Sequence, residues 1–399
     1  MTPTGWKRVS IGDVADVVTG NTPPTNDPFN YGCSRPFASP RDLGDFRLVT
    51  RTGKHVSEKG FATGRPIPSG ATLVTCIGSS IGKTGMAGME LITNQQINAA
   101  IPKAVDPAFL YYAISLQSPT IVRLSGSQAL PILPKSSFEQ VPILLPVDKT
   151  IQQTIGRALS TWDTSIQKTE QLIAAKERYN KAILQRVFGT GSYPRHRLSE
   201  FTRRVTRKNV GGDGHPLTIS GAEGLVSQSR YFGKRIAAEK TEHYTLLKRG
   251  EYAYNKSYSA GYPLGAIKRL DAHDEGIVST LYLCFALDEG KAPISDYFAY
   301  FCEAGGFNHQ IYQVAQEGAR NHGLLNVTAD DFFSMTMPIP PRDVQERVVK
   351  VLGTAMHGLA LLREELTALR SQKRGLMQKL LTGQWRLPIT QHAEDDTNG

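Results

Sequence analysis

Apolar residues recur at intervals of three, four and seven along two stretches of this chain. In the stretch that begins at Asp343, the row comprises Val344, Val348, Val351, Ala355, Leu359, Leu362, Leu366, Leu369, Leu376 and Leu380. In an earlier stretch it comprises Ile151, Ile155, Trp162, Ile166, Ile173, Ile183 and Val187, with polar Lys176 and Asn180 interrupting it. This spacing is typical of the a and d positions of a coiled coil. Each stretch predicts a helix of about 40 residues, roughly 60 Å long at 1.5 Å per residue.

Both predicted helices have start and stop signals. The segments "LPVDKT" and "PIPPRD" place prolines just before each helix and an aspartate in its first turn, where a carboxylate favours the positive end of the helix dipole. Gly189 and Gly383 stand where a glycine commonly ends a helix. Because one apolar seam needs another to bury it, we expect the two helices to pair. We expect an antiparallel pair, because each helix leaves one globular segment.

The helices belong to an internal repeat with an offset of about 193 residues, which aligns Ile151 with Val344 and Gln152 with Gln345. A weaker similarity extends upstream. It aligns Ile11, Gly12, Asp13 and Val14 with Leu198, Ser199, Glu200 and Phe201, "PSGATLVT" with "KRGEYAYN", and "KSSFEQVPILLP" with "ADDFFSMTMPIP". A repeat of this length indicates two copies of one unit, each a globular segment followed by a long helix.

The globular segments are rich in short strand patterns bounded by Gly and Pro, such as "GATLVTCIG" and "GIVSTLYLCFAL". We therefore predict an α+β fold in which two mixed α/β domains are joined by two long helices that form an antiparallel coiled coil, with a pseudo-two-fold internal repeat. The predicted boundaries are a first domain at 1–148, a first helix at 149–189, a second domain at 190–341, a second helix at 342–383 and a flexible C-terminal tail at 384–399.

Composition narrows the function classes. A net charge of +10 over 399 residues favours a polyanionic partner, most simply nucleic acid. The four cysteines (Cys33, Cys76, Cys284 and Cys302) form no C-x-x-C pair, which argues against a zinc site and a disulfide framework and favours a reducing compartment. No apolar run approaches the length that crosses a bilayer, and the N-terminus lacks the apolar region of a signal peptide. We therefore expect a cytoplasmic location.

One segment imitates a nucleotide-binding motif. "GSSIGKTG" (78–85) contains Gly-Lys-Thr, but a phosphate loop needs four residues between its first two glycines, and here three residues separate Gly78 from Gly82. The sequence also lacks the H-E-x-x-H motif of metalloproteases. These observations predict a chain without catalytic residues or a metal site.

The remaining candidate chemistry is the readout of DNA by loops that carry amides, hydroxyls and cations together. Amides suit adenine, cations suit guanine, and both classes contact phosphate. In the first globular segment the candidates are Ser79, Ser80, Lys83 and Thr84, with Thr22, Arg41 and Lys54 as neighbours. In the second they are Arg230, Tyr231, Lys234, Arg235, Tyr254, Asn255, Lys256, Ser257, Tyr258, Ser259, Arg320, Asn321 and His322.

The chain resembles the specificity subunits of type I restriction-modification systems over nearly all of its length. The resemblance rests on the helix endings "YNKAILQRVFG" and "QKRGLMQKLLTGQWRL", and on "WKRVSIGDVADVVTGNTPP", "EYAYNKSYSAGYPLGAIKRL" and "GIVSTLYLCFAL". It implies that residues 1–148 and 190–341 are target recognition domains, each of which reads one half of a bipartite sequence in double-stranded DNA. It also implies that the two helices set the gap between the half-sites.

The same resemblance implies partners and assigns the chemistry to them. Two methyltransferase subunits would dock on the helices, bind S-adenosylmethionine and flip an adenine out of each half-site. Restriction subunits would supply ATP- and Mg²⁺-dependent translocation and cleavage in the full complex. This chain would then be the non-catalytic DNA-recognition subunit. Two alternatives stay open at this point: a coiled-coil scaffold whose globular segments bind proteins, and an independent methyltransferase, which the missing cofactor motif disfavours.

Overall fold

The structure is a computed structural model that describes residues 2–44, 46–126, 129–189, 193–211, 214–221, 224–232, 241–258, 261–315 and 325–388. Its contacts divide the chain into two compact units. Unit 1 comprises the described residues of Met1–Leu172 and Leu362–Gly399, and unit 2 comprises those of Ile173–Leu361. The five-part division predicted from the sequence stays a prediction, because each unit contains one globular segment together with parts of both long helices.

The described residues of the first half of the chain form ten strands and end in a long helix. The strands are β1 (Trp6–Ser10), β2 (Ala15–Thr19), β3 (Tyr31–Ala38), β4 (Leu48–Val49), β5 (Lys54–Val56), β6 (Thr72–Thr75), β7 (Thr84–Ala87), β8 (Ile92–Thr93), β9 (Ile97–Pro102) and β10 (Pro142–Pro146). The helices are α1 (Ile11–Val14), α2 (Glu58–Thr63), α3 (Pro107–Leu116), α4 (Ser118–Leu124), α5 (Lys135–Glu139) and α6 (Lys149–Gly189), with 3₁₀ turns at Pro28–Asn30 and Pro40–Asp42.

The second half repeats this order of elements in outline. Its strands are β11 (Arg195–Arg197), β12 (Thr202–Arg204), β13 (Leu217–Ser220), β14 (Gly224–Ser227), β15 (Thr245–Lys248), β16 (Tyr252–Asn255), β17 (Ala266–Arg269), β18 (Glu275–Val278), β19 (Leu283–Leu287) and β20 (Thr336–Pro338). Its helices are α7 (Leu198–Phe201), α8 (Gln228–Phe232), α9 (Ser295–Glu303), α10 (Asn308–Val314), α11 (Ala329–Ser334) and α12 (Arg342–Leu381).

The main sheets of the two units share one strand arrangement. Unit 1 has a five-stranded sheet in the order β2-β9-β6-β7-β4, and unit 2 has a four-stranded sheet in the order β12-β19-β16-β17. In each sheet the first four strands pair antiparallel in the same succession. Gly70 and Gly250 precede the equivalent strands β6 and β16, and both have a positive φ, of 88° and 86°. The backbone therefore repeats even where the side chains have diverged.

Two short helices confirm the alignment made from the sequence. Helices α1 and α7 cover the aligned residues, and their third positions are Asp13 and Glu200. The Asp13 carboxylate accepts a hydrogen bond from the backbone N–H of Ser10 at 2.7 Å, and Glu200 accepts one from that of Arg197 at 3.0 Å. These bonds lower the pKa of both carboxyl groups and satisfy backbone donors at the helix starts.

Gln152 and Gln345 make matching connections at the starts of the two long helices. The amide NH₂ of Gln152 donates to the carbonyl of Pro146 at 2.8 Å, while its Oε1 accepts from the backbone N–H of Asp106 at 3.0 Å. Gln345 bonds in the same way to Pro340 and Ile294, at 2.8 and 2.7 Å. Both side chains are buried. In each unit one glutamine thus joins the long helix to a proline just before it and to the residue that precedes α3 or α9.

The long helices pair antiparallel in each unit, as predicted. In unit 1, Asp163 contacts Lys373 and Glu170 contacts Arg370, so residue numbers rise along α6 as they fall along α12. In unit 2, the amide of Asn180 donates to the carbonyl of Ala355 at 3.3 Å. The described structure therefore has the predicted fold class, a mixed α+β fold with a paired-helix element.

The predicted seam of α12 is wrong at one position. Val351 is 56% exposed, whereas Leu352 has no exposed surface. A step of four from Val348 reaches Leu352, and a step of three from there reaches Ala355, so the helical period keeps Leu352 on the buried face. Of the two polar positions in the predicted seam of α6, Asn180 is confirmed as part of it, because it is only 4% exposed.

The end of α12 completes the core of unit 1. Leu380 and Leu381 are buried in the same cluster as Phe109 of α3 and as Ile155 and Leu159 of α6. This cluster joins residues that are more than 200 positions apart in sequence, so unit 1 acquires its full core only when both long helices are in place.

We predict that Gln152→Met will destabilise the protein by about 2–4 kcal/mol, because methionine fills the space but leaves a buried N–H and a buried carbonyl without partners. Equilibrium unfolding in urea provides the measurement. Gln171→Met, at an exposed position of the same helix, is the matched control and should change the free energy of unfolding by less than about 0.5 kcal/mol. Equal effects of the two substitutions would contradict the structural role of Gln152.

Candidate nucleic-acid interface

Several loops of unit 1 leave its main sheet at one end. The pairs Thr19↔Asn98, Thr75↔Ile97 and Val74↔Thr84 place the end of β2, the start of β9, the end of β6 and the start of β7 together. We call the loops at this end, residues 20–24, 39–44, 76–83 and 94–96, the unit 1 loop edge. The predicted residues Thr22, Arg41, Ser79, Ser80 and Lys83 all lie on it, and all except the partly buried Ser80 are exposed.

Hydrogen bonds and packing connect the loops of this edge. The hydroxyl of Thr22 donates to Oε1 of Gln95 at 2.7 Å, and the neighbouring Gln96 donates to the carbonyl of Ile77 at 3.3 Å. The Lys83 side chain lies against Gly44. A Cβ added to Gly44 would come within 3.3 Å of Cδ of Lys83. Residues that are distant in sequence therefore form one continuous surface of hydroxyl, amide and ammonium groups.

Arg41 and Lys54 flank a second connection beside this edge. The carboxylate of Asp42 accepts a hydrogen bond from the backbone N–H of Gly53 at 2.7 Å, which joins the 3₁₀ turn that carries Arg41 to the start of β5, where Lys54 lies. Both cations are exposed. The sequence predicted only that these two cations lie near Lys83. In the structure, the contact of Asp42 with Gly53 and that of Gly44 with Lys83 hold the three loops together.

The segment that imitates a phosphate loop is a hairpin connection. Residues 76–83 join β6 to the antiparallel β7, and Gly78 and Gly82 have positive φ values of 94° and 85°. A phosphate loop needs a strand followed by a helix, whose N-terminal N–H groups bind the phosphates. This segment lacks that helix, so its glycines serve a turn that presents Ser79, Ser80 and Lys83 to solvent.

Two predicted contact residues have structural roles instead. Tyr254 has no exposed surface: its ring stacks on Phe332 with centroids 5.0 Å apart, and its hydroxyl donates to the carbonyl of Leu264 at 3.0 Å. Its assignment as a DNA contact is therefore wrong, and burial raises its pKa. The Thr84 hydroxyl lies 3.0 Å from that of Ser115, so this partly buried threonine joins β7 to α3.

The sequence interpretation missed the amides of Asn94, Gln95 and Gln96. They form the turn between β8 and β9, and the exposed Gln95 lies on the unit 1 loop edge between Thr22 and the β6–β7 loop. The signal was available, because three consecutive amide residues interrupt a buried strand region.

The equivalent end of the unit 2 sheet carries a different set of residues. Asn255 ends β16, and its side-chain Oδ1 accepts a hydrogen bond from the backbone N–H of Ser257 at 3.1 Å, which shapes the turn. Lys256 is partly buried, and its ammonium group donates to the carbonyl of Val327 at 3.3 Å. Tyr258 is 66% exposed. The predicted group Asn255–Tyr258 thus occupies the position in unit 2 that residues 76–83 occupy in unit 1.

Two of the remaining predicted residues of unit 2 lie within the described part of the chain. Arg230 and Tyr231 lie exposed on the short helix α8, which follows β14. Lys234, Arg235, Ser259, Arg320, Asn321 and His322 lie outside the described residues. The structure therefore assembles the described candidates of unit 1 more completely than those of unit 2.

The buried cysteines of the described residues have the properties of core residues and not of catalytic groups. Burial raises the pKa of Cys76 and of Cys284 to about 12, which keeps both thiols protonated and poorly nucleophilic at neutral pH. No group of three or more His, Cys, Asp and Glu side chains within the described ranges could hold a metal ion. No helix in the described part of the chain is long and apolar enough to cross a membrane.

Comparison with known proteins identifies the class of this fold. Residues 3–177 match the family described as the type I restriction modification DNA specificity domain. The specificity subunit of the type I restriction enzyme HindI from Haemophilus influenzae is 27% identical over 172 residues, and that of MjaIX from Methanocaldococcus jannaschii is 30% identical over 176 residues. These matches cover 41% and 42% of this chain, and they span only 37% and 40% of the two relatives.

Solved structures extend the similarity to nearly the whole chain. The S subunit of a type I restriction-modification system from M. genitalium has a TM-score of 0.58 at 13% identity, covering 96% of this chain and 99% of that one. A chain from a structure that describes complex assembly and conformational transition of the type I R-M system has a TM-score of 0.56 at 14% identity, covering 96% and 100%. Residues 3–177 therefore match the type I restriction modification DNA specificity domain family, and the chain has the fold of the solved S subunit.

Proposed function

We propose that this chain is the DNA sequence-specificity subunit of a type I restriction-modification complex. The observation that carries the proposal is the unit 1 loop edge, where exposed hydroxyl, amide and cationic side chains from four loops form one surface inside the matched DNA specificity domain. Such side chains are those that read base edges and contact phosphates. The net charge of +10 favours the approach to DNA.

Each globular segment would read one half of a bipartite target in double-stranded DNA. The two main sheets share their strand arrangement, whereas the loops at their equivalent ends differ in sequence. Unit 1 presents Ser79, Ser80 and Lys83 there, and unit 2 presents Asn255 to Tyr258. A common scaffold with different loops suits one task performed on two different sequences, with helices α6 and α12 determining the gap between the half-sites.

The partners of this chain would supply the chemistry. Two methyltransferase subunits would dock on the long helices and bring S-adenosylmethionine, and restriction subunits would bring ATP- and Mg²⁺-dependent cleavage. The buried and neutral thiols and the hairpin form of "GSSIGKTG" support a non-catalytic role for this chain. A cytoplasmic location follows from this proposal, since the DNA and the partner subunits lie there.

Mapping of methylated adenines in cells that express this chain with its partner methyltransferase tests the function directly. We expect two short half-sites separated by a fixed gap of unspecified bases, because two domains at fixed positions read the DNA. Expression of the methyltransferase without this chain is the control and should leave those sites unmethylated. Methylation that is independent of this chain would favour a protein-binding scaffold instead.

We predict that Lys83→Ala will weaken DNA binding to a similar degree on all sequences and will reduce the slope of log K against log salt by about 0.9, the contribution of one phosphate contact. Binding is measured with the methyltransferase complex at several salt concentrations. Lys103→Ala is the matched control, because Lys103 lies just beyond the opposite end of β9, roughly 20 Å away along the strand. An unchanged salt slope for Lys83→Ala would contradict the contact.

Gln95→Ala should act differently, by reducing the discrimination between bases at one position of one half-site. The Oε1 atom of Gln95 is held by Thr22, so its NH₂ group is the part that can donate to a base acceptor. Loss of such a contact reduces discrimination by about 1–3 kcal/mol. Competition binding with single-base variants of the target measures it, and the exposed Gln171→Ala serves as the control. An equal loss of affinity for every target variant would contradict a base contact and would indicate that Gln95 contacts the DNA backbone.

A further inference from the structure

Two ion pairs connect the long helices in unit 1, and both have the same polarity. Asp163 of α6 contacts Lys373 of α12, and Glu170 of α6 lies 2.6 Å from Arg370 of α12. The side chains of Asp163 and Lys373 are only 20% and 17% exposed. In both pairs the acid is on α6 and the base is on α12, so the two helices carry opposite charges where they meet.

Asp163 is held by more than its partner on α12. The hydroxyl of Tyr112 donates to its Oδ2 atom, and Nε of Arg47 lies 3.8 Å from the same oxygen. A partly buried carboxylate with three such neighbours is stable only while they remain, because a charge that loses its partner in a poorly solvated position is costly. The ammonium group of Lys373 is equally poorly solvated and therefore depends on Asp163.

The repeat places different chemistry at the equivalent position of unit 2. The offset of the repeat aligns Asp163 with Met356, and it aligns Asn180 with Lys373. In unit 2 the amide of Asn180 contacts Sδ of Met356 at 3.8 Å and the carbonyl of Ala355 at 3.3 Å. The same position of the helix pair is thus an ion pair in unit 1 and a neutral contact in unit 2.

This difference decides what would happen if a long helix paired with its counterpart from a second copy of the chain. In the same antiparallel geometry, two α6 helices would place Asp163 opposite the neutral Asn180 and Glu170 opposite Glu177. Two α12 helices would place Lys373 opposite Met356 and Arg370 opposite Arg363. Both pairings juxtapose like charges and remove the opposite-helix partner of the partly buried Asp163 or Lys373, which is unfavourable.

We propose that Asp163, Glu170, Arg370 and Lys373 select the partner of each long helix: they direct α6 to α12 and disfavour the pairing of either helix with its counterpart from a second copy. The internal repeat makes such selection necessary, because both helices carry similar apolar seams that would otherwise pair with either partner. The result is a molecule with one copy of each globular segment. The inference concerns assembly and holds whether or not those segments bind DNA.

The full-length chain with Glu170→Arg and Arg370→Glu together tests the selection. This exchange preserves an opposite-charge pair between α6 and α12, so the native pairing keeps its attraction. It also converts both homotypic contacts from repulsion to attraction, since the guanidinium introduced on α6 would face Glu177 and the carboxylate introduced on α12 would face Arg363. A role in stability alone predicts no change of assembly, whereas selection predicts dimers.

The fraction of dimer is measured by light scattering on a sizing column after refolding from denaturant at several protein concentrations. We expect the wild type to be monomeric and the exchange variant to contain about tenfold more dimer, because the homotypic contacts change from repulsive to attractive. Asp343→Arg with Arg347→Asp is the matched control, since this exchange reverses an exposed ion pair within α12. The control should leave the wild-type distribution unchanged.

A second variant tests the buried position independently. Asp163→Met with Lys373→Asn gives unit 1 the neutral pair already present in unit 2. Because Arg47 and Tyr112 also lose the carboxylate of Asp163, unfolding in urea is measured first to show that this variant is folded. Selection predicts an increased dimer fraction here too, and a larger one when both pairs of substitutions are combined. A wild-type dimer fraction in both variants, an equal rise in the Asp343/Arg347 control, or a wild type that is already dimeric would overturn the proposal.

Discussion

The packing of each globular segment against both long helices is the constraint on which the rest of this structure depends. In unit 1 the end of α12 supplies Leu380 and Leu381 to a core built around Phe109 of α3 and Leu159 of α6. In unit 2 the end of α6 supplies Phe188, whose ring packs against Tyr297 and Phe301 at centroid distances of 5.3 and 5.5 Å. Neither sheet has a complete core without a helix from the other half of the sequence.

This constraint separates what each unit must keep from what it can vary. Residues that join a sheet to the helices repeat closely, as Gln152 and Gln345 show through their equivalent hydrogen bonds. Many side chains at the loop ends of the sheets, such as Ser79, Lys83 and Tyr258, face solvent, so packing limits their identity less. In the proposed function that freedom is useful, because new loops could bring new base preferences while the scaffold and the surfaces for partner subunits stay the same.

The fold was predictable to a large extent because its strongest signals are periodic. The heptad rows identified both long helices, and the matched start signals and lengths indicated that they pair. The prediction was wrong where one step in the period was chosen incorrectly, at Val351 instead of Leu352. For the candidate site, residue type alone could not separate Tyr254, which stacks inside the core, from Tyr258, which is exposed four residues later. Both belong to one polar and aromatic stretch, and only its path through the sheet distinguishes them.

The amino-acid sequence by itself determined the repeat, the two long helices, the pairing of their seams and the chemical class of the loops. These properties depend on residue order and on the fixed period of the helix. Only the tertiary structure decided which loops share one sheet end, that Gln95 lies between Thr22 and the β6–β7 loop, and that Asp163 faces Lys373. Such contacts join residues that are far apart in sequence, and their geometry depends on strand register and helix packing, which no local pattern specifies.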